Sequence, residues 1–282
     1  ALSGCDSGSN ETPPTTQPDT LRSISYPLTA IANDGDAVPD GVSGTVTFWE
    51  VNPQTSIVGL SLDDGPTGAN VVHVAHIHEN SAEEGGPIAI RLSPIDGSGG
   101  TGTSARIVNR SFDNLASFNG YVNIHERVSA LGVVIAQGNI GSNATGTPGS
   151  GLDFVAQPRS AEFALTPQSN VGELPTGIGG RILFQEISDM LTVATLDIRL
   201  SSATGASLSH PAHIHANSAE EGGPILTYLA PLDASDPATR SSIFIEAPID
   251  SLASMDGYIN IHESLESLDV IISQGNIGSN AN

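Results

Sequence analysis

The chain has 282 residues, of which 38% are hydrophobic and 14% charged, enough apolar material for two domains with a core each and too much for a disordered chain. Its 31 acidic residues outnumber nine basic ones, all arginine, and the formal net charge of −22 excludes a nucleic-acid partner. The 31 glycines and 18 prolines, set among Ser, Thr, Asn and Asp, mark a turn-rich all-β protein. One cysteine rules out an intrachain disulfide, and no apolar run approaches the length of a membrane-spanning helix.

In chain order, residues 1–20 read as a flexible tether rich in Ser, Gly, Asn, Thr and Pro. Its Leu2-Ser3-Gly4-Cys5 segment resembles the lipobox of bacterial lipoproteins. The resemblance implies a lipid on Cys5, a trimmed precursor, membrane anchoring through that lipid, and a bacterial cell-envelope or extracellular location. Short apolar runs that tend to alternate follow at residues 44–51, 55–62, 71–78, 88–92, 120–125 and 132–136, and these predict strands. Residues 111–119 and 126–131 predict short helical turns, the second with a counterpart at 263–268. The acidic stretch at 33–40 predicts a turn.

The chain then repeats itself. His73-Val-Ala-His76-Ile-His78 with its trailing Asn-Ser-Ala-Glu-Glu-Gly-Gly-Pro-Ile returns as His210-Pro-Ala-His213-Ile-His215 with the same trailer. Gly120-Tyr-Val-Asn-Ile-His125-Glu126 returns as Gly257-Tyr-Ile-Asn-Ile-His262-Glu263, and Gln137-Gly-Asn-Ile-Gly141 returns as Gln274-Gly-Asn-Ile-Gly278. All three pairs are offset by 137 residues (210 − 73, 262 − 125, 274 − 137). So long a period means a duplicated domain rather than a solenoid. The boundaries read as a first domain at 21–141, a linker at 142–158 and a second domain at 159–282.

All eight histidines fall in these motifs, four per copy. Residues two apart on a strand point to one face. His76 and His78 therefore present adjacent rings, and His125, brought close on another strand, would complete a three-nitrogen site. His213, His215 and His262 would do the same. His73 and His210 sit an odd number of residues away and are expected to support the site from the opposite face. Asn123 and Asn260, two residues before the third histidine, are expected to orient a ligand. An imidazole-only donor set suits copper first and zinc second.

The His73-x-Ala-His76-Ile-His78 pattern followed by Gly-Pro-Ile, present again at His210, resembles the CHRD (chordin-type) domain of bacterial secreted proteins. It also resembles the copper strand of Cu,Zn superoxide dismutase, with Ile124-His125-Glu126 and Ile261-His262-Glu263 similar to that enzyme's later ligand strand. The resemblance implies two tandem immunoglobulin-like, superoxide-dismutase-like Greek-key β-sandwiches. By position it implies copper on His76, His78 and His125 and on His213, His215 and His262, with His73 and His210 as non-ligands. No histidine remains for a zinc partner, and no arginine follows His262. Three functions stand open at this stage. One is a copper protein for binding, storage or delivery. Another is a copper-only dismutase-like oxidoreductase, and the last is a self-associating, filament-forming surface protein.

Overall fold

The computed structural model describes residues 21–168, 178–198, 209–236 and 239–281; Cys5 and the tether lie outside the described residues. The protein is all-β, as the turn chemistry and strand periodicity require; among the described residues short helices occur only at α1 (Phe112–Ala116) and α2 (Ile249–Ser254), with a 3-10 turn at Val128–Ala130.

The first half carries β1 (Arg22–Ala30), β2 (Gly44–Asn52), β3 (Thr55–Leu62), β4 (Val72–His73), β5 (Ala75–Glu79), β6 (Ile88–Arg91), β7 (Ile95–Asp96), β8 (Thr103–Val108), β9 (Asn119–His125), β10 (Val134–Gly141) and β11 (Thr147–Ser150). One sheet runs β11-β1-β2-β3-β8 and the other β6-β5-β9-β10, all antiparallel. The end of β1 also pairs with β10, so this strand belongs to both sheets. Between β3 and β8 the chain leaves the first sheet, builds β5 and β6 in the second and returns, which is a Greek-key crossover.

The second half repeats this plan with β12 (Ser160–Pro167), β13 (Gly180–Ser188), β14 (Leu191–Ile198), β15 (Ser209–Ala216), β16 (Ile225–Asp233), β17 (Arg240–Ile245), β18 (Asp256–His262) and β19 (Ile271–Gly278). Its sheets are β12-β13-β14-β17 and β16-β15-β18-β19, and the end of β12 pairs with β19.

Period-2 alternation decides what is inside. On β2, Val46 and Phe48 point inward, and on β9 Val122 and Ile124 do; with Ala75, Ile77 and Ile135 they form the first core. Ile182, Phe184, Ile214, Ile259 and Ile261 build its counterpart in the second half. Glu50 is also buried on β2, and Arg22 meets it with two hydrogen bonds of 2.9 and 3.0 Å. That charged fork holds the Glu50 carboxyl below its ordinary range.

The halves meet along the outer face of their first sheets. Trp49 packs edge-on against Phe244 with centroids 5.4 Å apart, in a cluster with Ile57, Ala105, Ile187 and Val193. β8 pairs with β17 at Ala105 and Ser242, positions separated by the repeat offset (242 − 105 = 137). Equivalent surfaces therefore face each other, as in an isologous dimer. Arg106 adds a buried ion pair to Asp236 at 2.8 Å.

Three expectations differ in detail. The run at 71–78 is two strands, because the chain breaks at Val74 and β4 pairs with β7 in a separate two-stranded ladder. The stretch at 142–158 is not a free linker: β11 within it pairs with β1, and Leu152 and Phe154 pack into the cluster between the halves. Residues 263–268 form a turn without helical geometry, unlike the 3-10 turn at Val128–Ala130.

Candidate metal sites

The side of β5 and β9 facing away from the core carries the histidines. Ala75 and Ile77 enter the core, so His76 and His78 share the opposite face; Val122 and Ile124 enter the core, so Tyr121, Asn123 and His125 share that face too. The antiparallel register sets His76 beside Asn123 and His78 beside Tyr121. The His125 amide donates to the Val74 carbonyl at 2.8 Å, at the break between β4 and β5.

The three rings converge. Centroids lie 5.8 Å apart for His76 and His78, 5.1 Å for His76 and His125, and 6.1 Å for His78 and His125. In the second half the same distances are 5.9, 5.1 and 6.3 Å for His213, His215 and His262. In each cluster one nitrogen per ring lies within 4.8 Å of the others. Bonds of about 2.0–2.1 Å to one ion set nitrogens roughly 3.3–3.6 Å apart, so small ring movements close the gap. Both clusters can hold a metal ion.

Their chemistry fits that role. All six histidines are buried, the most exposed being His78 and His215 at 9%. Buried polar atoms almost always have partners. Here His76 Nδ1, His78 Nε2, both nitrogens of His125, both of His213, His215 Nε2 and His262 Nε2 have none. A cation is the partner that converging imidazole nitrogens can take, one lone pair from each ring.

The remaining nitrogens fix the tautomers. His78 Nδ1–H donates to the Gly86 carbonyl at 3.0 Å, and His215 Nδ1–H to Gly223 at 3.0 Å. Each bond leaves Nε2 as a lone pair. His262 Nδ1–H donates to the Leu268 carbonyl, while Leu131, at the equivalent position, presents its carbonyl to His125 without closing a hydrogen bond. Tyr121 stacks on His78 and Tyr258 on His215, both at 4.9 Å, and each hydroxyl accepts the amide of the glycine that holds its histidine.

Burial favours the neutral form of His76, His125, His213 and His262. It pushes His76 down to about 3, helped by His125, Arg91 and His78. It pushes His213 to about 3, helped by His262 and His215, and His125 to about 4, helped by His78. His262 is lowered by burial against the opposing Leu268 hydrogen bond. Neutral imidazole is the metal-binding form.

His73 lies outside the three-ring cluster. Its Nδ1–H donates to the Glu126 carbonyl at 2.7 Å, next to His125, and its Nε2 accepts from the Thr67 hydroxyl at 2.8 Å. His210 donates likewise to the Glu263 carbonyl at 2.7 Å. His73→Leu should cost about 2 kcal/mol by stranding the buried Glu126 carbonyl and removing the Thr67 hydrogen bond, seen as a lower urea midpoint, while metal stoichiometry stays the same.

Asn123 and Asn260 sit beside the clusters but bond elsewhere. Gln137 donates to the Asn123 Oδ1 at 2.9 Å and Gln274 to the Asn260 Oδ1 at 2.8 Å. They tie β9 to β10 and β18 to β19 rather than gripping a ring.

Sequence reasoning passed over Tyr121, Tyr258, Gly86, Gly223 and Arg91. The tyrosines were readable, being on the same face as the third histidine in the repeated Gly-Tyr-x-Asn-Ile-His segment. At Gly86 a Cβ would stand 2.1 Å from the Glu79 carbonyl oxygen, and at Gly223 2.1 Å from that of Ala216. Only glycine lets the loop close down on the ring. Gly86→Ala should displace the carbonyl that sets the His78 tautomer and weaken metal binding at that cluster about 10–100-fold in a chelator competition.

No family model, no curated protein and no solved structure matches this chain. What fold and site define together is an internally duplicated all-β protein with one buried three-histidine cluster per half.

Proposed function

We propose that the chain is a metal-binding protein of the bacterial cell envelope that holds one mononuclear ion, copper by preference, on each three-histidine cluster for storage or delivery. The observation that carries this reading is the convergence of three buried imidazoles with unpartnered nitrogens, built the same way twice. Copper(II) heads the affinity order for nitrogen donors, and zinc follows as the second candidate. The envelope location rests on the Leu2–Cys5 motif, and membership of the CHRD-type family rests on the H-x-x-H-x-H pattern.

Metal analysis of protein purified without added metal, followed by copper(II) titration, tests the reading. Two ions per chain are expected. A chain that arrives empty and takes up no copper is not a metal-binding protein of this kind.

One observation favours a second reading as a copper-only dismutase-like oxidoreductase. The sheets β1-β2-β3-β8 and β6-β5-β9-β10, with the histidines on the outer face of the second, agree with the sandwich that the copper-strand resemblance implies. Three protein ligands leave an ion an open coordination position. Superoxide consumption by the copper-loaded chain, above that of free copper under chelator, separates the two readings.

A further inference from the structure

The two clusters match in their histidines and differ in the residue set opposite the first of them. On β6, Arg91 stands opposite His76; on β16, Tyr228 stands opposite His213. The two are equivalent under the repeat (228 − 91 = 137).

Arg91 Nη1 lies 3.3 Å from His76 Nε2, 3.1 Å from Ser235 Oγ and 3.7 Å from the Asp233 carboxylate. Guanidinium only donates and stays charged. His76 Nε2 must therefore accept, and the neutral ring then carries its proton on Nδ1. Nδ1 is the buried nitrogen without a partner, the one left to face an ion. A metal can take that nitrogen only after the proton moves to Nε2 and Arg91 gives up its bond. The guanidinium also repels an incoming cation, an effect Asp233 offsets in part.

Among the described residues nothing comparable burdens the second cluster. The Tyr228 ring meets His213 edge-on at 4.8 Å, and neither nitrogen of His213 has a hydrogen-bond partner. Both flanking residues are pinned by the opposite half. Arg91 reaches Asp233 and Ser235, and Tyr228 packs so closely on Gly99 and Gly100 that a Cβ there would stand 2.6 and 2.9 Å from it. Neither side chain can swing aside without disturbing the contact between the halves.

We propose that the two sites are unequal: His213, His215 and His262 fill first and hold their ion at least ~10-fold more tightly than His76, His78 and His125, because Arg91 guards the first cluster with a charge-assisted hydrogen bond. This deepens the metal-binding reading and rests on it. One site then retains its ion while the other exchanges, which suits a protein that both keeps and hands on metal.

Zinc(II) titration of the intact chain, followed through the histidine ring nitrogens by NMR, tests the order. The signals of His213, His215 and His262 should move over the first equivalent and those of His76, His78 and His125 over the second. Metal-free His76 should show the Nδ1–H tautomer. Arg91→Tyr should bring both sets in together, and Arg91→Gln, which removes the charge with less change of shape, should narrow the gap. Two sets that move together in the unsubstituted chain overturn the inequality while leaving metal binding intact. So does an order that survives both Arg91 variants. Zinc(II) that moves neither set, in a chain that also takes up no copper(II), overturns the metal-binding reading itself.

Discussion

The double variant His78→Ala/His215→Ala should lose metal at both clusters, with affinity falling on the order of 10²-fold per site. That figure follows from sharing about 10–16 kcal/mol of structural metal binding among four ligands. The two rings suit the test because each has one nitrogen committed to a carbonyl and one orphaned. Deleting them strands the Gly86 and Gly223 carbonyls but also removes two unsatisfied buried nitrogens. Metal-free stability should therefore change far less than metal affinity does. In the unsubstituted chain, an ion present at 100 times its dissociation constant adds about 2.7 kcal/mol per site. Thermal melts with and without copper(II) should separate widely for the unsubstituted chain and nearly coincide for the variant. A variant that still gains as much from copper(II) as the parent would mean that these rings are not ligands.

The sequence carried the triads because two simple periods coincide there. Spacing of two put His76 and His78 on one face of β5, and the same alternation put Tyr121, Asn123 and His125 on one face of β9. The 137-residue offset supplied the second set. What stayed hidden depends on contacts between distant segments. Alternation in β2 fails at Trp49 and Val51, because both faces of that strand are covered, one by the core and one by the other half. Nothing local says which partner covers the second face. β11 resists prediction because Thr147-Pro-Gly-Ser150 has turn composition and becomes a strand only by pairing with β1. Arg91 was overlooked for another reason. A duplication draws attention to identical positions, whereas the asymmetry of the two clusters lies where the copies differ.

Acid should unfold the metal-free chain well above the pH at which ordinary carboxylates titrate. Burial lowers the pKa of His73, His76, His125, His210, His213 and His262 below the 6.5 of an exposed imidazole. The unfolded chain therefore takes up protons that the folded chain refuses. Stability is fully present above about pH 6.5 and is lost as pH falls toward the folded values of about 4 for His125 and about 3 for His76 and His213. Within that window each such histidine costs up to about 1.4 kcal/mol per pH unit. Several acting together would exhaust the ~5–15 kcal/mol that holds a typical domain within one to two units. Melting temperature should thus fall steeply between about pH 6 and pH 4.5, in a range where carboxylate protonation alone would change it little. Bound metal should steepen the fall, since the ion leaves as its ligands protonate. A melting temperature that stays level from pH 7 to pH 4.5 would show that these rings are solvated in solution, and a site built from buried neutral imidazoles would not survive that result.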